Sequence, residues 1–172
     1  MSCLITLKGI PFACDNNLGG VKAIYIADYA NITGVVVDET SQKINNINGG
    51  AGKFYTFIPA KNTASLTKTL SKDESAGTLY YTNEVTAQFN KMTTDKRIEM
   101  DALVNGQLAV IVLDANGMYW YLGKDESASA TAQVGQTGAQ RTDGNFYNIT
   151  ITDISSELPY EIDPSIIDEL LA

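Results

Sequence analysis

The side chains best suited to proton transfer come in two adjacent pairs, Asp73-Glu74 and Asp125-Glu126. Each pair sits inside the same pentapeptide, KDESA, at 72–76 and again at 124–128. A glycosidase needs two carboxyl groups roughly 5–10 Å apart, one of them with a raised acidity constant. Burial is what raises it. Here lysine, serine, alanine and glycine flank both pairs, so each reads as a solvated loop tip. Beyond the pentapeptide the flanks diverge, TLYYTN against ATAQVG. A duplicated domain leaves longer similarity, so the repeat reads as one kind of turn chemistry used twice.

Other routes to chemistry close quickly. The chain has no histidine, which excludes Ser-His-Asp and Cys-His catalysis and histidine-ligated zinc. Cys3 and Cys14, eleven apart, are the only cysteines. They cannot make a tetrahedral thiolate site; a disulfide between them is geometrically possible, but reduced structural thiols are the expectation. Asp114-Ala-Asn116-Gly117 faintly suggests a calcium loop, but its glycine comes too early and strands flank it, so a hairpin turn is expected. GGAG at 49–52 is followed by no lysine-serine pair and no helix, unlike a phosphate loop. Tyr80-Tyr81 and Tyr119-Trp120-Tyr121 suit either a carbohydrate platform or strands that are half core, half interface. No catalytic residue, metal ligand or cofactor is expected, and the protein reads as non-enzymatic.

Charge points the same way. The 172 residues carry a formal net charge of −8. Such a surface repels phosphate backbones and anionic membranes, so neither specific nucleic-acid binding nor membrane docking is expected. No apolar run approaches the roughly 20 residues of a spanning helix. The opening MSCLITLKGIPFACDNN lacks the basic n-region and cleavage site of a signal peptide, so mature protein is expected. After Arg141 no basic residue remains, while most positive charge lies between Lys53 and Lys124. An acidic end meeting a basic rim on another copy would make a head-to-tail contact, which closes into rings or runs on as filaments.

The elements that must position these residues are mostly strands. FYTFIP at 54–59 is short and closed by proline. Residues 63–70 place Ala64, Leu66 and Leu70 opposite Ser65, Thr67 and Thr69. In 78–90, Leu79, Tyr81, Val85, Ala87 and Phe89 oppose Thr82, Glu84, Thr86 and Gln88; in 146–153, Tyr147, Ile149 and Ile151 oppose Asn148, Thr150 and Thr152. The two strands 63–70 and 78–90 would form a hairpin with the first KDESA as its turn. LAVIVLDANGMYWYLG is a second hairpin with a type I′ turn expected at Asn116-Gly117. Its first arm, 108–113, is apolar on both faces, and a helix just upstream is the expected cover. That helix, TTDKRIEMDALVNG, is capped by threonine, with a left-handed end expected at Gly106 and an apolar stripe of Ile98, Ala102 and Leu103. Residues 21–29 and 34–39 read as two strands joined tightly. The polar stretches 38–53 and 125–145 read as long loops, the first alternatively as a hairpin tip. Asp163-Pro164 starts a short terminal helix whose Ile166, Ile167, Leu170 and Leu171 must dock on this chain or a neighbour.

The fold class is therefore mainly β, a sandwich or partial barrel with one flanking helix and a short C-terminal helix. It divides into a β-rich domain, 1–158, and an arm, 159–172. This order of elements resembles the tail tube (major tail) and neck ring proteins of tailed bacteriophages. The stretches CLITLKGIPFACDNNLGGVKAIYIADYANI and NGMYWYLGKDESASATAQVGQTGAQRTDGNFYNITITD look like those of small phage structural proteins. The resemblance implies a virion protein, in tail or neck, assembled in the host cytoplasm. It implies a homo-oligomeric ring, hexameric in that family, touching other virion proteins and conducting DNA through a channel. It also implies lumen-facing Thr82, Glu84, Thr86 and Gln88, and inter-subunit contacts through Asn46, Asn48, Gly49, Gly50, Ile166, Ile167, Leu170 and Leu171. A capsid decoration or head–tail adaptor protein, or a carbohydrate-binding β-sandwich, fits the same composition.

Overall fold

The computed structural model describes residues 7–172. Ten strands and two α-helices follow in order: β1 (Val21–Asp28), β2 (Gly34–Val37), β3 (Ile44–Asn48), β4 (Tyr55–Phe57), β5 (Ser65–Asp73), β6 (Thr78–Asn90), α1 (Thr94–Asn105), β7 (Leu108–Asp114), β8 (Tyr119–Leu122), β9 (Ser129–Gln136), β10 (Phe146–Ser155) and α2 (Ile167–Leu170). The mainly-β class expected from period-two patterning holds, and no sheet among the described strands closes on itself.

The strands make three layers. A central sheet has the order β4-β1-β7-β8, an outer sheet the order β5-β6-β10-β9, and β2-β3 form a separate ribbon. Every neighbouring pair is antiparallel. One core lies between the two large sheets, where Ile24, Ile26, Val110 and Val112 meet Val85, Ala87, Ile149 and Ile151. A second lies on the other side of the central sheet. There Ala23, Tyr25, Ala109 and Ile111 meet Ile44, Ile47, Phe54, Ile162, Ile167 and Leu170. Alternate residues of β7 thus point into different cores, which is why LAVIV is apolar at every position.

The expected cover for β7 was α1; instead the outer sheet covers one face, and the β2-β3 ribbon with the C-terminal segment covers the other. The helix plugs one end of the first core with Met100 and Leu103. Its expected stripe is corrected by the rotation this requires: Ile98 and Ala102 face outward. Thr93 caps it as expected, accepting from the Lys96 N–H. Gly106 is extended at φ −90°, not left-handed, because the chain runs straight into β7. A methyl there would come within 3.0 Å of the Ala102 carbonyl, so close packing explains the glycine.

Other expectations are corrected by pairing. The two early strands are present as expected, joined through a short 3₁₀ turn at Tyr29–Asn31, but the partner of β2 is β3. The polar stretch 38–53 is thus partly strand, and Ile44 and Ile47 are its buried anchors. Likewise 125–145 contributes β9. At the β7-β8 connection Gly117 alone has positive φ, at 89°. The turn is therefore a type I turn with a left-handed glycine, not type I′. Asp114 decides this, since its Oδ1 accepts from the Asn116 and Met118 N–H groups.

Residues 159–172 pack on their own chain. The Tyr121 N–H donates to the Tyr160 carbonyl and the Ile162 N–H to that of Tyr119, which covers the outer edge of β8. Ile44 N–H donates to Glu161 and Asp163 N–H to Ile44, tying the segment to β3. Asp163 caps the terminal turn through its side chain, with Pro164 in the first position.

Candidate functional site

The outer sheet has one face in the first core and one face uncovered. Alternation puts Thr82, Glu84, Thr86 and Gln88 of β6 on the uncovered face together, opposite the buried Asn83, Val85, Ala87 and Phe89. Register extends the face across neighbours. Thr86 stands between Ser65 and Thr150, Glu84 between Thr67 and Thr152, and Thr82 between Thr69 and Ile154. Hydroxyls pair across strands: Ser65 with Thr86 at 2.8 Å and Thr131 with Thr152 at 2.9 Å. Glu84 is the one ionised side chain in these rows. The surface offers carboxylate and hydroxyl oxygens but no cation to hold a phosphate.

The two margins of this sheet, β5 and β9, have no strand partner on their outer sides among the described residues. Three successive antiparallel steps separate them, so β5 and β9 run in opposite directions. The β5-β6 hairpin also overshoots the body. Its tip pairs Asp73 with Thr78, and Leu70, Leu79 and Tyr80 remain exposed. Such open margins need a partner or a guard, because unpaired N–H and C=O groups template further pairing.

The two KDESA segments differ in use. In the first, Asp73 Oδ1 accepts from the Ser75 N–H, the Ser75 hydroxyl and the Ala76 N–H, folding the hairpin tip on itself. In the second, Asp125 Oδ2 accepts from the Ser156 N–H and hydroxyl, thirty-one residues away. Those hydrogen bonds hold both carboxyls below their usual range. Neither is arranged as a proton donor. Glu74 pairs with Lys72, and beside Asp125 the Lys124 ammonium pairs with Glu157 at 2.8 Å.

Sequence reasoning missed the polar cluster inside the first core. Asn83 and Asp153 are buried on facing positions of β6 and β10. Asn83 Nδ2 donates to Asp153 Oδ2 at 2.9 Å and to Ser155 Oγ at 3.0 Å. Burial raises the Asp153 carboxyl above its ordinary value. The odd-numbered phase of β10, which Asp153 shares with Ile149 and Ile151, is the signal that it points inward. No group of three potential ligands among the described residues is placed to hold a metal.

The aromatic residues are divided between core and surface: Tyr80 is exposed, and Tyr81, Tyr119 and Trp120 are half-buried. Tyr121 is buried, and Lys68 lies 3.2 Å over the Trp120 ring. Burial pushes the Lys68 ammonium down to about 8. Trp120 Nε1 donates to Asp114 Oδ2, so the suspected calcium loop has its carboxylate committed to the turn and this indole. An open groove of about 510 Å³ beside them is lined by Leu79, Tyr81, Trp120 and the segment 156–161.

The expected contact residues fall into two groups. Asn46 and Asn48 are exposed on β3, and their side chains bond each other. Gly49 makes a turn at φ 80°, where a methyl would lie 2.1 Å from the Asn31 carbonyl. Gly50 packs against Ile47, Phe54 and Leu170. Ile167 and Leu170 are buried in the second core, with Ile166 and Leu171 half-buried against it. Cys14 is exposed and has no disulfide partner among the described residues; Cys3 lies outside them. None of the described helices is long and apolar enough to cross a membrane.

No protein-family model matches the sequence, and no curated protein matches it. Among solved structures, the chain is similar to the SPP1 tail tube at a TM-score of 0.41 and 14% identity, over 88% of this chain and 82% of that one. A likeness that loose carries neither fold nor function.

Proposed function

We propose that this protein is a non-enzymatic structural subunit of a phage virion that assembles with copies of itself into a ring or tube. The observation that carries the reading is the outer sheet, open at both margins and hydroxyl-rich on its uncovered face. Rotation about an axis along the strands preserves strand direction. Since β5 and β9 are antiparallel, β9 of one copy meets β5 of the next as another antiparallel pair. Repetition builds one continuous sheet, and closure removes both exposed margins.

In that assembly the uncovered face lines the lumen, with Thr82, Glu84, Thr86 and Gln88 turned to the channel. Hydroxyls and a carboxylate give a passing phosphate backbone no cation to bind, so DNA moves through without dwelling. Asn46 and Asn48, exposed on the ribbon, are free for contacts between subunits; Ile166, Ile167, Leu170 and Leu171 hold the C-terminal segment in place behind them.

Negative-stain imaging and light scattering of the purified chain test this. Annular or tubular particles are expected. Adding two cations by Thr86→Lys with Thr150→Lys should leave those particles intact but make them retain double-stranded DNA at low salt. A chain that remains monomeric at high concentration contradicts the reading, and so do particles whose DNA retention ignores the added lysines.

A further inference from the structure

A strand pair that slips by one residue turns every side chain to the wrong face. The faces of the outer sheet therefore limit how β9 of one copy can lie on β5 of another. On β5, Ser65, Thr67 and Thr69 stand opposite Thr86, Glu84 and Thr82 and share the uncovered face. Leu66, Lys68 and Leu70 stand opposite Val85, Asn83 and Tyr81 on the core side. On β9, Ala132, Val134 and Gln136 stand opposite Thr150, Asn148 and Phe146 on the uncovered face. Ala130, Gln133 and Gly135 stand opposite Ile151, Ile149 and Tyr147 on the core side. The phase changes at a bulge, where Thr131 is passed over in the pairing and turns its hydroxyl to Thr152.

In a continuous sheet, uncovered face must meet uncovered face. Hydrogen-bonded and non-hydrogen-bonded pairs alternate across the rows of an antiparallel sheet. After three such steps, a register that matches the faces also brings open N–H and C=O groups to open ones. The eight residues of β9, less Thr131, take seven places along the nine of β5. Two registers then keep the faces matched and all of β9 on β5. One sets Gln136 opposite Ser65. The other is moved two residues along, with Gln136 opposite Thr67.

Core-side chemistry separates the two. The half-buried Lys68 sits on the open β5 margin, its ammonium 3.2 Å over the Trp120 ring, and it forms no ion pair among the described residues. Gln133 is exposed, and it is the one polar side chain on the core side of β9. In the first register Gln133 falls opposite Lys68, Gly135 opposite Leu66 and Ala130 opposite Leu70. The Gln133 amide oxygen then accepts from the ammonium, and apolar residues face apolar or small ones. In the second register Gln133 falls opposite Leu70, and Lys68 meets Gly135, which has no side chain to offer. Resting on the self-assembly reading, we propose that neighbouring copies pair with Val134 opposite Thr67, and that Gln133 of one copy accepts from Lys68 of the next to set this register. The surroundings of Lys68 are completed only by a second copy.

Disulfide yields read the register. Both native cysteines are first replaced by serine. Thr67→Cys with Val134→Cys tests the proposed pairing, and Thr69→Cys with Val134→Cys tests the other. Within one chain these positions lie on opposite margins, three strand spacings or about 14 Å apart, beyond the reach of a disulfide. Every bridge therefore joins two copies and shows as a ladder on a non-reducing gel. The first pair should give at least about tenfold more bridged product, because directly opposite Cβ atoms are about 5 Å apart and those offset by two residues about 7 Å. Gln133→Lys, at an exposed position, should lower that yield about threefold or more by setting like charges opposite each other, and adding Lys68→Gln should restore it. A dominant bridge from position 69 overturns this register while leaving the sheet-margin reading in place. A yield indifferent to Gln133→Lys overturns the Lys68 contact. Assembled particles that form neither bridge overturn both readings, and so does a chain that never assembles.

Discussion

The two large sheets share strand number, antiparallel pairing and a common core, yet one is covered on both faces and the other on one. In the central sheet, β7 sends Val110 and Val112 into one core and Ala109 and Ile111 into the other, all at 0% exposure. In the outer sheet, β6 buries every second residue and shows water Thr82, Glu84, Thr86 and Gln88. The central sheet's β8 margin is closed by the chain's own residues 160–162, whereas β5 and β9 stay open. The difference teaches where stability and function separate. The doubly covered sheet holds the fold together; the singly covered one leaves a face and two margins unpaired among the described residues, which the proposed function gives to other copies.

The contrast breaks most visibly at Ile111. Ile111→Ala should cost about 2–5 kcal/mol in denaturant unfolding, because it leaves a cavity that two packed layers cannot close. Thr86→Ala on the uncovered face should stay within about 0.5 kcal/mol of the parent. Equal losses at the two sites would erase the distinction between the sheets.

Asp153 gives a smaller effect of opposite sign. Its folded carboxyl is raised by burial, so the folded state holds the proton more tightly than the unfolded one. Stability from this group is greatest near pH 4 and falls as pH rises through the folded value. Asp153→Asn should therefore be more stable than the parent at pH 7, with the gain disappearing as pH falls below about 4. A gain that does not depend on pH would mean that packing, not charge, is responsible.

The two KDESA turns sharpen the comparison further. Asp125→Ala removes hydrogen bonds joining segments thirty-one residues apart and should cost about 1 kcal/mol. Asp73→Ala loosens only the exposed hairpin tip and should leave the melting temperature unchanged. Lys68 adds a response confined to alkaline pH. Its folded value, about 8, lies below the unfolded value. The unfolded chain therefore binds more protons between about pH 8 and 10.4, and stability rises with pH across that window. Lys68→Met should flatten that rise. The attraction of the ammonium to the Trp120 face opposes the desolvation and narrows that window.

Much of this was legible in residues whose alternation is strict. The faces of β6 and β10, the β5-β6 hairpin with KDESA at its tip, and the Thr93 and Asp163 caps follow from side-chain period and capping chemistry. What escaped had no such local signal. INNIN and SATAQVGQ are strands because they have partners, β2 and β10, not because their residues favour extension. The helix stripe was misplaced since Met100, not Ile98, lies on the side where the two sheets converge. The turn at Asn116-Gly117 was decided by the Asp114 carboxylate, which draws in two N–H groups and holds Asn116 out of the left-handed region. The candidate surface was readable as a set of residues on one face; that its margins are open depends on which strands end up outermost, a tertiary fact.

The central claim is that β9 of one copy pairs with β5 of the next. Cryo-electron microscopy of the purified chain at assembly concentration tests it most directly. The account predicts a closed continuous sheet in which each β9 lies about 4.8 Å from a neighbour's β5, with Thr86 and Thr150 turned to the lumen. A particle whose copies touch elsewhere while β5 and β9 stay in solvent, or a chain that stays single throughout, would contradict it.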